Sequence, residues 1–172
     1  MADLDAARRA LGLVPARRPM RRQLFLNFKG GTGKTSVSTS YAFRLAEMGH
    51  RVLVIDLDSQ GHASKCLGVE GEQADRTLFD SVIRKVPLEQ VIVRTGMPNL
   101  DLVPSNLAMS TIDLSLMPMS AREFRLRNVL KEVDPKYDYA ILDAPPSSTQ
   151  GPPSREALQR RRIKLIVKRK TL

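Results

Sequence analysis

Lys29-Gly30-Gly31-Thr32-Gly33-Lys34-Thr35 decides the reading of this chain because of what flanks it. Before it, Leu24-Phe25-Leu26-Asn27-Phe28 is a short apolar run halted by glycines, the pattern of a buried strand running into a loop. After it, Val37, Tyr41, Leu45 and Met48 recur at spacings of four, four and three. That period predicts a helix over 35–48 with those side chains on its buried face and Gly49 as its C-terminal cap. A glycine-rich loop entering a helix lets backbone N–H groups converge on phosphate oxygens, with the positive end of the helix aimed at the anion. In that setting Lys34 reaches the β and γ phosphates and the Thr35 hydroxyl binds Mg²⁺. The common form G-x-x-x-x-G-K-[ST] is not met, because Phe28 stands where its first glycine belongs and a second lysine, Lys29, precedes Gly30.

Outward from this loop the chain alternates. Val52-Leu53-Val54-Ile55 is a second buried strand, completing a βαβ unit, and it delivers Asp56 and Asp58 in Asp56-Leu57-Asp58-Ser59-Gln60-Gly61. Residues two apart on a strand share a face, so both carboxylates can address one site at the strand's carboxyl end, where α/β proteins bind ligands. Leu78 to Ile83 reads as a helix, Val91–Val93 and Leu100–Val103 as strands around a Gly96-Met97-Pro98-Asn99 turn. Arg122 to Val133 reads as a helix with Phe124, Leu126, Val129, Leu130 and Val133 inward and Pro135 as its stop. Tyr139-Ala140-Ile141-Leu142 is a last buried strand ending at Asp143. This alternation implies an α/β layer fold with a mostly parallel sheet.

The 172 residues suit one domain with a real core, and no stretch has the roughly 18 uninterrupted apolar residues of a membrane span, nor an N-terminal signal-peptide core. A single cysteine, Cys66, gives no internal disulfide and no cysteine-based metal site, and neither His50 nor His62 has companions for ligation. The formal net charge of +10 lies almost wholly at the ends. Residues 1–22 hold six Arg against two Asp, and 151–172 hold eight basic residues against Glu156, so the block between is nearly neutral. The sequence thus divides into a basic extension (1–22), a catalytic-type domain (23–147) and a basic tail (148–172).

The run K-G-G-x-G-K-[ST] resembles the deviant Walker A loop of the ParA/MinD ATPase family. The likeness extends through the Asp56–Gly61 segment, similar to a D-x-D-P-Q-G switch with Ser59 in place of proline, and through the Asp143 strand, similar to a Walker B strand. Gln60–Ser64, Thr77–Asp80, Leu102–Asn106 and Arg122–Leu126 resemble ParA/Soj-type partition ATPases as well, so the likeness covers roughly 23–147. It implies a P-loop NTPase-like three-layer fold and an ATPase using ATP and Mg²⁺, with nucleotide contacts from Gly30, Gly31, Thr32, Gly33, Lys34, Thr35 and Ser36. Catalytic roles fall on Lys34, on Lys29 reaching across an ATP-dependent homodimer, and on Asp58 orienting the attacking water; Thr35, Asp56 and Asp143 serve the metal. It further implies nonspecific DNA binding, a DNA-bound ParB-like activator, a role in plasmid or chromosome partitioning, and a cytoplasmic, nucleoid-associated location.

The family pattern ends near Ser147. The expectation is therefore a C-terminally truncated or frame-disrupted member whose sheet is incomplete after the Asp143 strand, leaving Leu24–Phe28 as an apolar edge. Two other readings stand beside the partition ATPase: an inactive remnant, and a MinD-like ATPase at a membrane surface. The second needs a C-terminal amphipathic helix, for which Ile163 to Leu172, broken by four basic residues, is a poor candidate.

Overall fold

A computed structural model describes residues 19–26, 31–70, 75–112, 115, 122–145 and 163–167, with 122–124 and 163–167 as backbone only. Lys29, Gly30 and most of both basic ends lie outside the described residues.

In order, the elements are β1 (Arg21–Leu26), α1 (Lys34–Glu47), β2 (Val52–Asp56), α2 (His62–Cys66), α3 (Leu78–Ile83), β3 (Val93–Arg94), β4 (Leu100–Val103), α4 (Arg122–Val133), β5 (Tyr139–Asp143) and β6 (Ile163–Val167). They form one six-stranded sheet in the order β3-β4-β2-β5-β1-β6, parallel except for the antiparallel β3. The alternation of β2 explains the layers. Val52 and Val54 face a cluster with Ala42, Leu45 and Ala46 of α1, whereas Leu53 and Ile55 face one with Leu78 and Val82 of α3 and Leu130 and Val133 of α4. All four of these β2 residues are fully buried, as expected of a parallel strand covered on both sides.

Several expectations shift. The buried face of α1 is Ser38, Thr39, Ala42, Leu45 and Ala46, while Val37 is 48% and Met48 61% exposed. The stripe is thus turned by about one residue, roughly 100°. Small side chains on this face let the helix lie close to the sheet, which apolar periodicity alone does not weigh. The run at 91–93 is strand only from Val93; Leu88–Gln90 form a 3₁₀ turn, and Val91 is buried without joining the sheet. Its apolar character records burial and not pairing.

The strand nobody would place from composition is β6. It runs parallel to β1 in continuous register, from Arg22↔Ile163 to Leu26↔Val167. The edge of β1 is therefore covered, contrary to the expectation above, and Ile163–Val167 is strand and not amphipathic helix. Arg21 and Arg22, assigned by composition to the basic extension, open β1; Arg22 is 8% exposed and its Nη2 donates to Asp134 Oδ1 at 2.6 Å.

At the amino ends of the strands a cavity of about 690 Å³ is lined by Arg51, Arg94, Met97, Asp101 and Tyr137 among others. Tyr137 donates its hydroxyl to Asp101 Oδ2 at 2.7 Å, and burial together with that carboxylate pushes its ionisation well above the ordinary phenol range. Tyr137→Phe leaves the Asp101 oxygen without this donor, and chemical denaturation is expected to show a loss of about 1 kcal/mol.

Candidate phosphate site

At the opposite end of the sheet the carboxyl ends of β1, β2 and β5 meet the start of α1. Sheet register puts Asp56 beside Asp143, and Phe25 on the other side of Asp143. Both aspartates are fully buried. The turn before α1 passes through Gly31 at φ +69° and Gly33 at φ +75°, left-handed values that glycine adopts without a steric penalty. Gly33 is the N-cap residue, so no side chain caps the helix, and its first turn carries no acidic residue. The amides there point outward uncapped, the arrangement that receives an anion.

Three of the expected residues are brought into contact. Thr35 Oγ1 donates to Asp143 Oδ2 at 2.7 Å, and Lys34 Nζ donates to Asp143 Oδ1 at 3.2 Å. Ser38 and Thr39 donate their hydroxyls to the Thr35 carbonyl at 2.9 and 2.8 Å, bracing the first turn from within. Ser36 is exposed and Thr32 half-buried at the same loop.

Asp56, expected to support the metal shell, is hydrogen-bonded to the loop that follows β2. Its Oδ1 accepts from the Asp58 amide at 3.1 Å, and its Oδ2 accepts from the Ser64 amide at 2.9 Å and the Ser64 hydroxyl at 2.8 Å. Burial pushes its carboxyl above the ordinary range, against the lowering effect of these hydrogen bonds, and the neighbouring charge of Asp143 adds to the rise. Its visible work is to hold the loop that follows β2. Asp58, 8% exposed, accepts the Gln60 amide on Oδ1 at 3.0 Å. Sequence reasoning found these carboxylates but gave no role to Ser64 and Ser105, which it held only as members of the family-like segments Gln60–Ser64 and Leu102–Asn106. His50 packs edge-on against Tyr139 at 5.1 Å, and His62 is exposed.

Among the described residues no group of three His, Cys, Asp or Glu side chains could hold a metal. The donor set here, one hydroxyl and one carboxylate, suits Mg²⁺, which keeps most of its waters and takes other oxygens from phosphate.

Residues 20–151 match the family model described as an AAA domain. The chain belongs to this family, within its ParA/MinD group. It is 64% identical over 145 residues to the cell division protein PomZ of Myxococcus xanthus (strain DK1622), covering 84% of this chain and 46% of that protein. To the chromosome partitioning protein ParA of Caulobacter vibrioides (strain NA1000 / CB15N) it is 36% identical over 131 residues, 75% of this chain and 49% of that one. A crystal structure of cobyrinic acid a,c-diamide synthase from Mycobacterium smegmatis, with bound ATP analog and magnesium, superposes with a TM-score of 0.70 at 31% identity, covering 74% of this chain and 52% of that one. The chain spans about half the length of the curated relatives it matches. Among the described residues no helix is long and apolar enough to cross a membrane.

Proposed function

We propose that this chain is a ParA-like ATPase of the partition and positioning type, binding Mg·ATP at the start of α1. The observation that carries the reading is the junction of Lys34, Thr35 and Asp143 at an uncapped helix N-terminus. The first-turn amides and Lys34 grip the phosphates, Thr35 and Asp143 hold the metal, and Mg²⁺ when bound neutralises charge on the transferred phosphoryl group. For this to happen Lys34 exchanges its pairing with Asp143 for one with phosphate. Asp58, by the resemblance of Asp56–Gly61 to the family's switch segment, orients the attacking water. Lys29, by resemblance, serves the partner's phosphates in an ATP-dependent homodimer.

The dimer binds DNA without sequence preference, aided by the basic ends, and a DNA-bound ParB-like protein stimulates its turnover in a cytoplasmic, nucleoid-associated cycle. Support for these steps comes from the names and likeness of the relatives. The test is ATP hydrolysis by the 172-residue protein with and without Mg²⁺ and DNA, beside Asp58→Ala. Turnover that requires Mg²⁺ and falls at least about 100-fold in the variant is expected. Mobility shifts that weaken steeply between low and moderate salt are expected for DNA. Absence of turnover in the unmodified chain would overturn the proposal.

A further inference from the structure

The loop carrying Asp58 is fastened on two sides through one hydroxyl. Ser64 is 2% exposed; its Oγ donates to Asp56 Oδ2 at 2.8 Å and accepts the Ser105 amide at 3.1 Å. Asp56 grips the same loop at its beginning, through the Asp58 amide, and at its end, through the Ser64 amide. Between those points Gly61, at φ +63°, lies so close to the segment after β4 that an added Cβ would sit 3.1 Å from the Ser105 carbonyl oxygen. The loop is thereby wedged between the end of β2 and Pro104–Asn106. The Ser64 hydroxyl bonds to both walls.

We propose that Ser64 is a positioning residue for the Asp58 loop, its hydroxyl tying that loop to the Ser105 backbone so that Asp58 meets the phosphate site in a single orientation. This rests on the reading of Asp58 as the residue that orients water. Among the described residues the Ser64 hydroxyl bonds to Asp56 and Ser105 and not to Gly31–Lys34, so its loss is expected to leave nucleotide capture in place. The Asp56 bond to the Ser64 amide also survives, which keeps α2 attached. What is lost is the acceptor for a buried amide and one of the two bonds by which Ser64 holds Asp56, and with them the fixed placement on which in-line attack depends.

Two variants, Ser64→Ala and Ser64→Thr, test this in the 172-residue protein. Ser64→Ala is expected to lower kcat about 10- to 100-fold with KM for Mg·ATP changed less than about threefold, whereas Ser64→Thr, which restores the hydroxyl, stays near the unmodified protein in both. Hydrogen exchange without nucleotide gives a readout independent of catalysis. In Ser64→Ala the Ser105 and Gln60 amides are expected to exchange at least about tenfold faster, while the Val54 and Ile55 amides of β2 keep their protection. Unchanged exchange at Ser105 and Gln60 would overturn the inference whatever the turnover. So would an unaltered kcat in an active enzyme, or a Ser64→Thr variant as slow as Ser64→Ala. If the unmodified chain hydrolyses no ATP yet the exchange pattern appears, the hydrolase reading fails and the tie between the loop and Ser105 is supported.

Discussion

Lys34→Ala is expected to abolish measurable ATP turnover and to weaken Mg·ATP binding by about 100-fold or more, close to 3 kcal/mol. The lysine is ion-paired at the site: its side chain is 11% exposed and its Nζ sits 3.2 Å from Asp143 Oδ1. Among the described residues the ion pair to Asp143 comes from Lys34. The substitution also withdraws a cation from a fully buried carboxylate, leaving the Thr35 hydroxyl as its side-chain donor among the described residues. A loss of about 1–3 kcal/mol in the nucleotide-free protein should accompany the binding defect. Calorimetric titration with Mg·ATP, beside thermal melts followed by circular dichroism, separates the two. Affinity retained within threefold of the unmodified protein would remove Lys34 from the phosphate site.

Leu53→Ala is the substitution expected to damage the fold most. Leu53 is fully buried on β2, in the cluster shared with α3 and α4, and β2 is held between β4 and β5. A hydrogen-bonded central strand cannot move to fill the void, so the cost combines lost burial with a persistent cavity, about 3–5 kcal/mol. Against a total stability of about 5–15 kcal/mol this is a large share, and a fall in Tm of roughly 10 °C is expected. Met48→Ala is the matched control: at 61% exposure its removal should cost within about 0.5 kcal/mol. Equal melting of the two variants would contradict the assignment of the core.

The strands β1, β2 and β5 were legible because buried parallel strands are written as short apolar runs, and their order with the helices followed from alternation. Asp56 and Asp143 were legible for a related reason: each ends such a run, and carboxyl strand ends gather on one side of a parallel sheet. The face of α1 was misplaced because hydrophobic spacing identifies a stripe, whereas the sheet accepts the stripe with the smallest side chains. Strand β6 was illegible because five residues between basic neighbours carry no period of their own; pairing with β1 makes them a strand.

By itself the sequence determined the α/β class, the glycine-rich turn between β1 and α1, the acidic strand ends and the family, since each depends on residue type and local spacing. Only the tertiary structure decided how those parts are shared out. It placed Lys34 and Thr35 on Asp143, set Asp56 to hold the Asp58 loop, and joined Ser64 to Ser105, 41 positions away. Contacts over such separations arise from the register of neighbouring strands, which brings β2, β4 and β5 to a common end and which no local pattern encodes.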